Sequence, residues 1–265
     1  MTKLIVAGAA GRMGRMLTSI IAREPDLTLA GAVEAAESKA VGADAGEVAG
    51  VGPLGVRIGT DYSTLATTDT VTLDFTNAHA SMRHLEIAAA KGAAIVIGST
   101  GRSPEMEARA RQLALATRTV IAPNMSLGVN VLLKLATEAA RLLPDFDAEV
   151  LEIHHRTKVD APSGTALALG QAVATARNQD LKSVAVHGRS GITGVRPQGQ
   201  IAILALRGGD AVGDHTVLFC GSGERLELIH RTQSREALAR GAIRAAVWLA
   251  PQPPGLYTMA DVLGL

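Results

Sequence analysis

Short apolar, β-branched runs alternate with longer alanine-rich stretches through the first half of the chain. The runs predict strands over 3–7, 27–34, 70–75, 93–98 and 119–122. Between most of them lie segments of helical length and composition, 11–23, 78–91 and 104–116, the last with Pro104 where a first helical turn tolerates it. Strands separated by helices in this way predict a parallel sheet with crossover connections. After Pro123 the texture changes. A helix over 127–143 leads to a strand over 148–155 and a second helix over 164–176, and strands follow over 183–187, 200–206, 212–220 and 225–229 with glycine-rich connections. The fold expected is α/β, a Rossmann-like parallel-sheet domain joined to a second, α+β domain with a mixed, mostly open sheet. The glycines between 42 and 59 read as a long surface loop, and the helical stretch 235–249 is expected to pack back on the first half.

Composition adjusts this picture in few places. At 265 residues two domains fit better than one, although length alone also permits a single larger domain. With 47% hydrophobic and 19% charged residues the chain can build a packed core, and with 2% aromatics Ala, Val, Leu and Ile must fill it. A net charge of +1 offers no broad attraction for nucleic acid or a membrane surface, so anion binding must be local. Cys220 is the only cysteine, which rules out an internal disulfide and suits a reducing, cytoplasmic setting. Neither a signal peptide nor a run of about 20 apolar residues is found, and a soluble protein is expected.

The first candidate site is Gly8-Ala9-Ala10-Gly11-Arg12-Met13-Gly14, which follows a predicted strand and opens a predicted helix. Glycines three apart permit a tight turn and close approach of the backbone to a pyrophosphate, which the helix N-terminus attracts. Alone, such a motif is more often an ordinary turn. Glu34, at the end of the second predicted strand, shifts the balance, because an acidic side chain there accepts hydrogen bonds from adenosine ribose hydroxyls. It also repels a 2′-phosphate, and the neutral Ala35 beside it offers no compensation, so NADH is expected to be preferred and NADPH possible. Lys39 would restore phosphate binding if its loop folds back. Gly98-Ser99-Thr100 and Ala122-Pro123-Asn124-Met125 end further strands at the ligand-binding edge, whereas Asp74-Phe75-Thr76 is balanced between cofactor wall and plain turn.

The densest chemistry lies between Glu152 and Ala166, where His154, His155, Arg156 and Lys158 precede Pro162-Ser163-Gly164-Thr165. Even spacing puts His154 and Lys158 on one side of an extended backbone. Ser163, Gly164 and Thr165 present N–H and hydroxyl groups at a helix start, which suits a carboxylate. Any one of these residues alone would be an ordinary strand or surface side chain. Together they mark a proton-transfer site beside an anion cradle. No metal is expected.

The run His154-His155-Arg156-Thr157-Lys158-Val159-Asp160-Ala161-Pro162-Ser163-Gly164-Thr165-Ala166 resembles the signature of dihydrodipicolinate reductases. The likeness continues through Gly8 to Gly14, Asp74-Phe75-Thr76, Gly98 to Gly101, Asn124, Gly128-Val129-Asn130 and Arg207-Gly208-Gly209-Asp210 to His215. It implies an enzyme of lysine and diaminopimelate synthesis that reduces a cyclic imine dicarboxylate, usually as a homotetramer using either nicotinamide cofactor. On that resemblance His154 and Lys158 become the catalytic pair, while His155, Gly164 and Thr165, with Ser163, hold substrate carboxylates. Residues 1–125 and 235–265 would form the dinucleotide-binding domain and 126–234 the domain for substrate binding and oligomerisation. Ala35 departs from the cation that members using NADPH well tend to carry. Two rivals remain: another two-domain dehydrogenase of amino or oxo acids, which needs different proton-transfer groups, and a nucleotide-sensing protein without chemistry.

Overall fold

The computed structural model describes residues 1–265. Its elements run β1 (Thr2–Ala7), α1 (Arg12–Ile21), β2 (Leu27–Val33), α2 (Ala45–Ala49), β3 (Ile58–Gly59), β4 (Thr70–Asp74), α3 (Ala78–Lys91), β5 (Ala94–Ile97), α4 (Pro104–Leu113) and β6 (Arg118–Ile121). They continue with α5 (Leu127–Leu142), β7 (Asp147–His154), α6 (Gly164–Ala176), α7 (Leu181–Val184), β8 (Ala185–Val186), β9 (Ile201–Arg207), β10 (Gly213–Cys220), β11 (Arg225–Thr232), α8 (Glu236–Leu249), β12 (Gly255–Tyr257) and α9 (Met259–Leu263). Contacts divide the chain into two compact units, Met1–Leu127 with Glu236–Gly264, and Gly128–Arg235 with Leu265.

The first unit is a seven-stranded parallel sheet in the order β12-β6-β5-β4-β1-β2-β3. Every residue of β4 and β5 is buried, as helices on both faces require, which is why these strands read as continuous apolar runs. The chain steps outward from β1 in both directions, so the crevice at the carboxyl ends of β1 and β4 is where an open sheet of this kind takes its ligand. Local sequence sets the helix starts. Asn77 caps α3 through Ala80 N–H, and Ser103 caps α4 just before Pro104. The last elements belong here too. Helix α8 buries small residues, and a Cβ on Gly241 would lie 1.8 Å from the Met125 carbonyl oxygen, so only glycine allows this approach. Strand β12 then extends the sheet beside β6.

Three expectations need correction. The segment 42–59 is not a bare loop, because the Asp44 carboxylate accepts from the N–H groups of Gly46, Glu47, Leu54 and Gly55 and so holds α2 and the turn that leads to β3. Helix α2 has five residues, too few to show a periodicity. The predicted strand 183–187 is instead the end of α7, capped by Asp180, followed by the two-residue β8. Finally, β12 and α9 were not foreseen.

The second unit is a five-stranded mixed sheet, β11-β10-β7-β9-β8, in which β7 pairs antiparallel with β10 and parallel with β9. One face packs Val150, Ile203, Val217 and Phe219 against Leu132, Ala136, Leu169 and Val173 from α5 and α6. The opposite face carries Leu151, Leu204 and Leu218 partly buried, with Ile153, Leu206 and Ile229 exposed. Strand β7 places one charged side chain on the covered face, the fully buried Glu152.

Candidate functional site

In the first unit the turn from β1 to α1 is built around its glycines. Gly8 takes φ +77°, and a Cβ on Gly14 would come within 2.1 Å of the Gly8 carbonyl oxygen. The amides of Gly8 and Ala9 donate to Val33 O, that of Gly11 to Gly8 O, and that of Ala10 to the Glu34 carboxylate at 2.9 Å. No side chain caps α1, so the N–H groups of Arg12 and Met13 at its first turn stay available for an anion. Glu34 thus braces the loop while its remaining lone pairs line a cleft of about 440 Å³, which it shares with Gly8, Ala35, Thr76, Arg83 and His84. These features fit a dinucleotide: a positive-φ turn, a cradle without room for a side chain, and uncapped amides.

The neighbouring strand ends are tied together by the fully buried Asp74. It accepts from Thr76 N–H (2.9 Å), Thr76 Oγ1–H (2.6 Å), Ser81 Oγ–H (2.9 Å) and His84 Nδ1–H (2.7 Å). Ser81 in turn meets Ser99 Oγ at 2.7 Å, so the Ser99 hydroxyl is held inside the protein. Gly98 leaves space for the Phe75 ring, which a Cβ would approach within 2.2 Å, and Thr100 is exposed. Beyond β6, Ala122 and Met125 are buried in the core, Pro123 is exposed, and the Asn124 side chain accepts from Ser126 N–H at 2.9 Å. Met125 can therefore offer a ligand only its backbone.

In the second unit the end of β7 brings five of the expected residues to one corner. The strand stops at His154 and the chain turns, with Lys158 N–H donating to His155 O and Arg156 N–H to Gly209 O. Strand parity therefore does not place Lys158; the turn does. Its ammonium pairs with Asp160 at 2.7 Å and holds that carboxyl below the usual carboxylate range. His155 Nδ1 lies 2.8 Å from Thr157 Oγ1. Helix α6 begins at Gly164, where a Cβ would meet nothing within 4 Å, so its start opens onto free space, with Thr165 in the same turn. Ser163 departs from the expectation that it contacts substrate. Its hydroxyl accepts from Ala166 N–H and lies 3.2 Å from His215 Nε2, and its own N–H donates to Glu152, so it serves as the helix cap.

Three residues that sequence reasoning passed over complete the corner. Glu152 accepts from His154 Nδ1–H at 2.5 Å, from Ser163 N–H at 3.0 Å, and from both terminal nitrogens of Arg207 at 2.8 and 2.9 Å. Burial would raise its carboxyl, but the hydrogen bonds from Arg207, His154 and Ser163 outweigh that and hold it below the usual range. The His215 ring meets His154 edge-on with centroids 5.3 Å apart. Burial, aided by the neighbouring His154 charge, pushes His215 down to about 4, so it is neutral at physiological pH. Sheet register explains the gathering, because His154 pairs with Arg207 and Glu152 with His215 across neighbouring strands. The even spacing of Glu152 and His154 on one strand was the available signal; Arg207 and His215 had none without the register.

Both halves of the chain have counterparts among known proteins. Residues 2–125 match the family description "Dihydrodipicolinate reductase, N-terminus", and residues 128–263 match "Dihydrodipicolinate reductase, C-terminus". The chain is 51% identical over 266 residues to a 4-hydroxy-tetrahydrodipicolinate reductase of Anaeromyxobacter dehalogenans, covering 100% of this chain and 98% of the relative. It is 49% identical to one from Syntrophobacter fumaroxidans, with both chains covered in full. Among solved structures, a dipicolinate-bound dihydrodipicolinate reductase from Paenisporosarcina sp. TG-14 superposes with a TM-score of 0.77 at 22% identity over 98% of each chain, a likeness of fold. An amine dehydrogenase from Mycobacterium smegmatis gives 0.61 at 15% identity over 97% of this chain and 95% of its own. With both halves matched and half of the residues shared along the whole length of such relatives, the chain belongs to the dihydrodipicolinate reductase family.

Proposed function

We propose that the chain reduces 4-hydroxy-tetrahydrodipicolinate, or the dihydrodipicolinate derived from it, to tetrahydrodipicolinate in lysine and diaminopimelate synthesis. The observation that carries the reading is the corner itself. A histidine fixed by a buried carboxylate stands beside a helix start that glycine leaves open, which is proton transfer next to carboxylate binding. When bound, a nicotinamide supplies the hydride, and the uncapped amides of Arg12 and Met13, the turn Gly8-Ala9-Ala10-Gly11, Glu34, and the strand ends at Gly98-Ser99-Thr100 and Ala122-Pro123-Asn124-Met125 would hold the dinucleotide.

One substrate carboxylate would sit at the start of α6 against Gly164 and Thr165, with the Ser163 cap behind them and His155 beside them. Hydride addition to the ring carbon leaves the nitrogen in need of a proton. Lys158 is the assigned donor, and His154, through its free Nε2, relays or assists. An ordinary lysine, with a pKa near 10.4, holds its proton too firmly for rapid transfer at neutral pH, so a second group suits the task.

NADH is the preferred cofactor in this reading, because the Glu34 carboxylate lines the cleft and Ala35 brings no cation. NADPH remains usable, since Arg83 and His84 line the same cleft. The uncovered sheet face with Leu151, Leu204 and Leu218 supports a homotetramer formed through the second unit. No helix is long and apolar enough to cross a membrane, and we place the enzyme in the cytoplasm. The deciding experiment follows cofactor oxidation with substrate made freshly from pyruvate and aspartate semialdehyde, with NADH and NADPH in parallel. Substrate-dependent oxidation, faster with NADH, is expected; none with either cofactor would refute the reading.

A further inference from the structure

The covered face of the second sheet is apolar except at one point, and that point is a fully saturated carboxylate. Glu152 is fully buried. One oxygen accepts from Ser163 N–H and from Arg207 Nη2, and the other from His154 Nδ1 and Arg207 Nη1. A bidentate arginine keeps such a carboxylate ionised, and an ionised carboxylate can only accept. The proton between Glu152 and His154 therefore resides on Nδ1, which leaves Nε2 as the atom of the ring that can gain or lose one. Nothing covers that atom from the β10 side, because the neighbour is Gly213, where a Cβ would stand 3.0 Å from Nε2. His215, edge-on to the ring and kept neutral by its burial, fills the flank without adding a competing charge.

We propose that Glu152 is the positioning residue of this site: clamped by Arg207, it fixes the Nδ1–H tautomer of His154, presents Nε2 for proton transfer, and through Ser163 N–H holds the start of α6 in register with it. The inference rests on the reading of His154 as a proton-handling group. Glu152 acts through His154 and the cap, and does not itself touch the substrate. One side chain thereby couples the proton-transfer atom on β7 to the anion cradle on α6, two functions that a rigid reductase site needs at a constant separation.

Glu152→Gln keeps the shape but turns an N–H₂ toward one of its donors, so the ring is driven to the other tautomer. In the full-length enzyme kcat should fall by about 10³-fold, near the loss known when the acidic member of a catalytic triad becomes an amide. KM for the dinucleotide should not change, and the limb of the kcat–pH profile that His154→Gln abolishes should be displaced. The decisive measurement is the cycle of Glu152→Gln, His154→Gln and the double variant. Glu152 acting through His154 predicts that the double variant is no slower than His154→Gln alone. Multiplying effects, or near-normal turnover of Glu152→Gln, would overturn the proposal while leaving the site reading intact. Full turnover of His154→Gln would instead remove the site reading, and this inference with it. If Glu152→Gln does not fold, Arg207→Lys, which exchanges the fork for a single contact, takes its place in the cycle: a double variant no slower than His154→Gln supports the proposal, and multiplying effects overturn it.

Discussion

The hydroxyl of Ser163 lies 3.2 Å from Nε2 of His215, so the residue that caps α6 is buttressed by a histidine whose ring also presses on His154. Burial pushes His215 down to about 4, well under the 6.5 of a free histidine. The native corner is built for the neutral ring.

A stability difference with a definite sign follows. Between pH 6.5 and about 4 the unfolded chain protonates His215 while the folded chain does not, so the native state is progressively weakened as pH falls through that window. Each pH unit across the window is worth about 1.4 kcal/mol, which caps the loss at about 3 kcal/mol. Urea melts of the wild type and His215→Gln at pH 7, 5.5 and 4.5 should converge as the pH drops. Parallel pH dependences would show that His215 titrates normally.

Lys158→Ala should lower turnover by at least about 10²-fold, as expected for loss of a general acid. Cofactor affinity, measured by fluorescence titration with NADH, should hold steady. Because the pair with Asp160 is exposed at its acidic end, the melting temperature should move little. Normal turnover would exclude Lys158 from proton delivery.

Ala35→Arg places a cation next to Glu34 at the mouth of the cleft. KM for NADPH should fall several-fold, and that for NADH should rise slightly. Removing Arg83 from the same cleft by Arg83→Ala should move NADPH use in the opposite direction. If both variants leave NADPH kinetics untouched, the 2′-phosphate is not read at this position.

Leu204→Glu introduces a charge at the centre of the uncovered face, beside Leu151 on the neighbouring strand. Sedimentation velocity should then show smaller species than the wild type, with the secondary structure retained. A wild type that already sediments as a monomer would exclude the tetramer.

Particular residues show how far the amino-acid order reveals this molecule. The buried runs of β4 and β5 and the glycine-punctuated start of α1 carry their own signals, because full burial and positive φ restrict composition directly. Capped starts such as Asn77 and Ser103 are equally local. Helix α2 was hidden, since its stability comes from one carboxylate, Asp44, reaching ten and eleven residues ahead. The corner divides in the same way. His154, Lys158 and Gly164 lie within eleven residues of one another and were readable as a group, whereas Arg207 and His215 enter through pairing between strands fifty or more positions apart.

The first unit ends its sheet with β12 and packs α8 against β4, β5 and β6, so residues made last complete a body begun by residues made first. During synthesis, Met1–Leu127 must wait with one sheet edge bare and part of its core unfilled until Glu236–Gly264 has left the ribosome. The intervening stretch has all of its strands earlier than that. Translation therefore delivers the inner unit whole before the outer one, and a ribosome stalled short of Glu236 would hold a finished middle between two unfinished ends.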